Sequence, residues 1–281
     1  MLSREEKNKK YVDEIKKEKT IKISKIVLKT LGIVIIIFTI IFLYLYFLGV
    51  RGLKTKEYII NDTRIPDTFN GIKVLHFSDL LYGSTINDKS IAKIKEEINL
   101  INPDIVFFTG NIVSQDYTMS EEDIKSLNSF FKDIPYTIGK YAVMGDVDNT
   151  SFSLIMENTG FTIIDNNVVD IYNGKDKITL VGISNQNDKD FKNVDGYTIT
   201  LINNYDNYIK YHISSNIVLA GHNLGGEIRL FNLPILGTDK HLNNYYEKND
   251  TKIFISSGLG TKNHMRLMNK PSLNVYRLYN N

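Results

Sequence analysis

Residues 30–50, TLGIVIIIFTIIFLYLYFLGV, carry no charge. A run of about 20 apolar residues is what a helix needs to cross a hydrocarbon core of about 30 Å. A water-facing helix of this length would need a polar stripe, and none is present. A cleaved signal peptide is the competing reading. The preceding segment is long for one, however, and the exit Phe47-Leu48-Gly49-Val50-Arg51 lacks a small-x-small site, so a retained signal anchor is expected. Lys16, Lys17, Lys19, Lys22, Lys25 and Lys29 crowd one side of the run, against Arg51, Lys54 and Lys56 on the other. The positive-inside rule then predicts a single-pass protein of the cell membrane, with residues 1–29 as a charged cytoplasmic tail and the remainder outside. Tyr44 and Tyr46 suit the outer interfacial belt.

Beyond an expected linker at 51–56, residues 57–281 are long enough for one substantial globular domain. Short apolar runs at 57–60, 72–77, 105–109 and 141–144 read as strands. Between them, Asp88 is placed to cap a helix over 89–100 whose Ile91, Ile94 and Ile98 share a face, and Pro103 ends it. Ser120 with Asp123 forms a capping-box pattern for a second helix running to residue 131. This alternation predicts a parallel or mixed sheet with functional loops at the carboxyl ends of its strands. The second half is β-rich. Runs at 168–172 and 177–182 flank Asn173-Gly174, a hairpin signal, and further strands are expected at 197–202, 216–220, 227–231, 252–256 and 273–278. A helix is expected shortly before residue 216.

The absence of cysteine excludes disulfides, thiolate metal sites and cysteine nucleophiles. A formal charge of +2 gives no reason to expect nucleic acid as a partner.

Five segments carry the chemical information: IPDTFNGIKVLHFSDL at 65–80, NPDIVFFTGN at 102–111, YAVMGDVD at 141–148, LAGHNLGGEIRL at 219–230 and ISSGLGT at 255–261. In order and spacing they resemble the calcineurin-like metallophosphoesterases, particularly their membrane-associated bacterial branch. The resemblance covers roughly residues 57–279. It implies an α/β fold, a two-sheet sandwich flanked by helices, here preceded by one N-terminal transmembrane helix.

That family reads Asp-x-His, Gly-Asp, Gly-Asn-His-Asp, an isolated His and Gly-His-x-His, and holds two metal ions that activate a water against a phosphoester. Against this pattern Asp79 matches the first carboxylate, but Leu81 and Leu224 stand where two histidines of one metal are expected. Asn111 replaces the bridging Asp, Asp146 the Asn ligand, Val147 the general-acid His, and Asn203 the isolated His. His222 and Asp148 are kept.

Two metals about 3.5–4 Å apart need an anionic bridge, because their repulsion is about 18 kcal/mol at an effective dielectric of about 20. Asn111 supplies no charge, leucine has no lone pairs, and Val147 cannot protonate a leaving group. No catalytic residue and no two-metal centre are therefore expected. Asp79, Asn111, Asp146, Asn203 and His222 are the residual candidates, with no cofactor as the first expectation and one weakly bound divalent cation (Mn, Zn, Fe or Mg) as the alternative. His76, His212, His241 and His264 fall outside the motifs, and a structural or surface role is expected for each rather than ligation.

Function is thus expected to be that of an inactive binding or interaction protein at the membrane, facing a lipid head group, an envelope precursor or a neighbouring membrane protein. The alternative is a metal-dependent phosphoesterase with a substituted site, and a third reading makes the membrane helix and tail the functional part. The two leucines are also expected to converge on the vacated metal position, within about 4–4.5 Å of each other.

Overall fold

The computed structural model describes residues 3–184, 191, 194–211, 213–231, 233–236 and 241–281. They fall into two units, Met1–Leu48 and Gly49–Asn281.

The first unit is one helix, α1 (Arg4–Leu43), which ends in a π-helical turn at Tyr44–Leu48. Forty residues at ~1.5 Å per residue give about 60 Å, so the apolar half alone is long enough to cross a membrane. The helix is continuous through the charged segment, where Thr20 and Thr30 hydroxyls donate to carbonyls one turn back. Residues 1–29 and 30–50 are therefore not separated by any break in backbone structure among the described residues.

In the second unit the strands are β1 (Lys54–Asn61), β2 (Lys73–Phe77), β3 (Ile105–Phe108), β4 (Gly139–Ala142), β5 (Thr162–Ile163), β6 (Asn167–Asn173), β7 (Asp176–Ile183), β8 (Thr198–Ile202), β9 (Ile217–Ala220), β10 (Ile228–Leu230), β11 (Leu233–Leu236), β12 (Tyr245–Lys248), β13 (Thr251–Ile255) and β14 (Ser272–Tyr279). The helices are α2 (Asp88–Ile101), α3 (Glu121–Lys132), α4 (Thr150–Asn158) and the single turn α5 (Tyr205–Tyr208). One six-stranded sheet runs β1-β14-β2-β3-β4-β5 and the other β12-β13-β9-β8-β7-β6; β10 and β11 form a separate hairpin.

Alternation along each strand builds the layers. Val74, Ile105, Phe107, Tyr276 and Leu278 of the first sheet meet Ile178, Leu180, Ile199, Leu201, Leu219 and Phe254 of the second in a shared core. The opposite face of the first sheet, with Leu75, Phe77, Val106 and Phe108, is covered by Ile91, Ile94 and Ile98 of α2, Leu127, Phe130 and Phe131 of α3, and Phe152, Ile155 and Met156 of α4. The outer face of the second sheet packs Val181, Val218 and Ile253 against Tyr205 and Tyr208. This is the two-sheet sandwich flanked by helices that the sequence implies.

Several boundaries differ from the sequence reading. The linker expected at 51–56 is shorter, because β1 pairs in parallel with β14 from Lys54↔Ser272 onward and draws residues 54–56 into the sheet. Asn87, not Asp88, caps α2 by accepting from Ser90 N. Asp88 instead accepts from Tyr82 Oη at 3.0 Å and Ser126 Oγ at 2.6 Å, which ties α2 to α3. The run at 141–144 is shifted to Gly139–Ala142, in register with β3 from Ile105↔Gly139. The hairpin turns at Gly174-Lys175, one residue later than expected, with Gly174 at φ +60°. Helix α4 and strands β5, β11 and β12 are additional, and the helix expected before residue 216 amounts to the one turn of α5. The capping box at Ser120 and Asp123 is present.

Candidate functional site

Every motif residue lies in a loop just past the carboxyl end of a strand. Asp79 follows β2, Asn111 follows β3 and residues 145–148 follow β4 in one sheet; Asn203 follows β8, His222 and Leu224 follow β9, and residues 256–261 follow β13 in the other. Loop backbones from the two sheets bond directly, with Leu259 N donating to Ser78 O at 3.1 Å and Gly260 N to Asp79 O at 2.7 Å. Within the second sheet, Gly221 N donates to Asn203 O at 2.8 Å. The five residual candidates are thereby gathered into one network.

Asp79 is fully buried, and three neutral donors serve its carboxylate. Ser78 Oγ donates to Oδ2 at 2.5 Å, the His222 backbone N–H to Oδ2 at 3.0 Å, and Asn111 Nδ2 to Oδ1 at 2.8 Å. The Asn111 amide is oriented at both ends, since its Oδ1 accepts from Val147 N at 3.3 Å. Exchanging its oxygen and nitrogen would set an acceptor against Asp79 and a donor against Val147 N–H, breaking both bonds.

Asn203 is fixed the same way. Its Nδ2 donates to Thr109 O at 2.7 Å and its Oδ1 accepts from Asp146 N at 3.3 Å. Asp146 is exposed, and its Oδ2 lies 3.0 Å from His222 Nδ1. Burial pulls the His222 imidazolium down, but the Asp146 carboxylate more than offsets this and holds its pKa above the usual value. Burial likewise pushes Asp146 up, and His222 outweighs it, so the carboxyl titrates below its ordinary range. Lys262 Nζ stands 3.3 Å from His222 Nε2 on the solvent side. Asp148 accepts from three backbone amides, Asn111 at 2.6 Å, Ile112 at 2.8 Å and Gly145 at 2.9 Å. It binds the loops after β3 and β4 together, a task that needs no neighbouring histidine.

The replaced ligand positions are buried: Leu81 is 4 % exposed and Leu224 is 1 % exposed. Both press on the loop at 256–261. A Cβ added at Gly258 would fall 2.3 Å from Leu224 Cδ2 and 3.1 Å from Asp79 Cβ, and one at Gly260 would fall 2.6 Å from Leu81 Cβ. Glycine is required at both places. Leu224 and Asp79 thus share the space beside Gly258. The backbone there is left-handed at Asp79 (φ +51°), Leu81 (+45°), Asn111 (+64°), His222 (+57°) and Leu224 (+51°). For a leucine that geometry costs about 1–2 kcal/mol, so the loops keep a shape that their present side chains do not favour.

Arg266, which the motifs did not single out, is fully buried and donates to Asn269 O at 3.0 Å and to Ser257 O and Gly260 O at 2.6 Å each. Burial lowers its pKa to about 10. It clamps the glycine loop from beneath. The signal available in sequence was only its place five residues after ISSGLGT. Lys262, directly after that motif, carries no further signal in the sequence.

Of the other histidines, His76 is in the core between the sheets. It bonds Thr109 Oγ1 at 2.9 Å, and burial drives its pKa down to about 3. His264 Nε2 lies 3.5 Å from Ser84 Oγ. His241 pairs with Asp206 and packs edge-on against Tyr205 and Tyr246. His212 lies outside the described residues.

The donor set does not fit a two-metal centre. Among the described residues no three His, Asp or Glu side chains converge as a metal-holding group, and the would-be bridging position presents an N–H to Asp79. Of the five candidates, Asp146 and His222 alone are not fully buried.

No protein-family model matches the chain. It is 25% identical over 263 residues to a Bacillus subtilis protein called the uncharacterized metallophosphoesterase YkuE, spanning 84% of this chain and 88% of that one. It is 23% identical over 230 residues to the Campylobacter jejuni metallophosphoesterase Cj0846, covering 75% of this chain and 59% of the other. An Aquifex aeolicus metallophosphoesterase is 24% identical over 245 residues, 79% of this chain and 90% of its own length.

Proposed function

We propose that the chain, given its similarity to these metallophosphoesterases, is a membrane-anchored, non-hydrolytic member of the calcineurin-like metallophosphoesterase family whose former catalytic loops serve binding rather than turnover. The observation that carries this reading is the Asn111 amide, held between Asp79 Oδ1 and Val147 N where an anionic bridge would be needed. A donor aimed at the first carboxylate replaces the attraction that a cation would supply, and does so without a net charge.

The remaining positions support the same reading. Val147 offers no proton for a leaving group, and Leu81 and Leu224 fill two ligand positions with hydrocarbon. Asp146, His222 and Lys262 form a small acid–base cluster at the surface of the loops. Such a cluster suits recognition of a polar or phosphorylated group. Anchoring by the apolar half of α1, with the lysine-rich half in the cytoplasm, would place the second unit outside. The ligand is then membrane-borne: a lipid head group, an envelope precursor or a neighbouring membrane protein.

The test is metal analysis of the full chain, purified in detergent after expression with Mn and Zn supplied. Fewer than one ion per chain, with no phosphoester turnover that Asp79→Ala abolishes, is the expected result. Two ions per chain, or turnover lost in Asp79→Ala, would overturn the reading. A single ion lost in Asp146→Ala would favour the substituted-site phosphoesterase instead.

A further inference from the structure

The hairpin β10–β11 presents an apolar surface that the site does not use. Leu230 and Leu233 are opposite one another and share one face, and Ile235 follows two residues on, at an irregularity in the strand register. They are 51 %, 73 % and 54 % exposed; Phe231 at the tip is 74 % exposed, and Met268, whose Sδ lies 3.2 Å from Phe231 N, is 60 % exposed.

The tip is built against conformational preference. Leu230 pairs with Leu233, and Phe231, directly after Leu230, sits at φ +55°. Glycine, asparagine or aspartate are the residues that favour such a position. Strained backbone of this kind clusters at functional sites. The base, in contrast, is rigid. Arg229 N donates to Leu267 O at 3.0 Å, Arg229 Nη1 to Gly225 O at 2.9 Å, and Gly226 lies so close to Pro234 that a Cβ on the glycine would fall 2.9 Å from the proline ring. The hairpin is therefore an extension of the loop that carries His222 and Leu224.

We propose that this hairpin inserts into the surface of a phospholipid bilayer, with Phe231 at its leading edge. The proposal rests on the anchored reading given above and adds that the catalytic-type loops are held at the lipid head groups. Five side chains exposed to this extent offer on the order of 500 Å² of apolar surface, enough to mark an interaction site. That is short of the ~800 Å² per partner of a stable protein interface, which argues against a second copy as the occupant. In the chain, only residues 49–53 separate the apolar helix from β1, a tether of at most about 18 Å. A convex tip of leucine, isoleucine and phenylalanine suits the boundary between head groups and acyl chains.

The sequence contains no tryptophan, so Phe231→Trp makes a single reporter in the full chain. It is compared with Tyr172→Trp, at an exposed position on β6, in vesicles of phosphatidylcholine and phosphatidylglycerol with brominated acyl chains. The expected result is quenching of the Phe231→Trp emission several-fold beyond that of Tyr172→Trp, reproduced by Leu233→Trp should the first variant fold poorly. Equal quenching at both positions overturns the proposal. So does a blue shift that grows with protein density and is insensitive to bromine, which would assign the hairpin to a second copy. Alkaline extraction of the same vesicles separates the two readings: release of the chain sinks the anchoring, whereas retention with an unquenched Trp sinks the hairpin alone.

Discussion

Asn111→Asp is the substitution that most directly probes the site, because it restores the family's charge without restoring its ligands. The Asn111 Nδ2 to Asp79 Oδ1 distance is 2.8 Å, and both residues are buried, at 1 % and 0 % exposure. A second carboxylate there would face the first at about 3 Å, a repulsion of about 5–6 kcal/mol at an effective dielectric of ~20. The variant escapes part of this by binding a proton. Holding one carboxyl neutral at pH 7 costs about 4 kcal/mol relative to an unfolded-state pKa of ~3.9, and that sets the ceiling on destabilisation. The carboxyl pair's second pKa is raised in the folded state, so the folded variant binds more protons than the unfolded one above pH ~4. Its stability is then greatest near pH ~4 and falls by about 1.4 kcal/mol per pH unit as pH rises toward the raised value. Urea denaturation of the full chain in detergent with chelator present, at pH 5 and pH 7, measures this directly. Divalent cation should recover stability in Asn111→Asp and leave the natural chain unchanged. An Asn111→Asp variant as stable as the natural chain at pH 7 in chelator would refute the reasoning, as would a natural chain that the cation stabilises equally.

Three further outcomes follow from the same geometry. Leu81→Gly should be at least as stable as Leu81→Ala by denaturation, reversing the usual order, because at φ +45° glycine avoids the ~1–2 kcal/mol that any Cβ costs. Arg266→Leu should lose about 3 kcal/mol, since the carbonyls of Asn269, Ser257 and Gly260 each forfeit a donor worth about 1 kcal/mol. In Asp146→Asn the His222 pKa, followed by NMR, should drop. The natural pair stabilises the fold between the lowered Asp146 pKa and the raised His222 pKa, and that contribution disappears as pH leaves the window on either side.

Much of the fold was legible because its signals are local. Ile91, Ile94 and Ile98 recur at helical spacing and are all buried in α2, and the Ser120–Asp123 capping box opens α3 as written. The start of β1 was not legible, since Lys54, Thr55 and Lys56 look like a solvated linker until β14 pairs with them. The cap of α2 went to Asn87, while Asp88 accepts from Ser126 of α3, a contact no local window contains. At the site, the residue substitutions could be read by position, but their mutual satisfaction could not. The double anchoring of Asn111, the use of Asp148 as an amide bracket and the clamp by Arg266 all depend on groups brought together from separate strands.

The position of β14 also governs when this unit can acquire structure during synthesis. It lies between β1 and β2, so β1 has no other neighbour in its sheet, and β2 keeps an open edge until β14 arrives. The strand that directly follows the long apolar helix in the chain therefore waits, unpaired, until β14 has been made. Parallel pairing of β2, β3 and β4 needs only the first half of the unit, but closing the sheet requires a contact of very long sequence separation, the slowest kind to form. If the unit is exported, it must cross the membrane before it is complete, with the edges of β1 and β2 exposed to whatever binds unpaired strands on the far side.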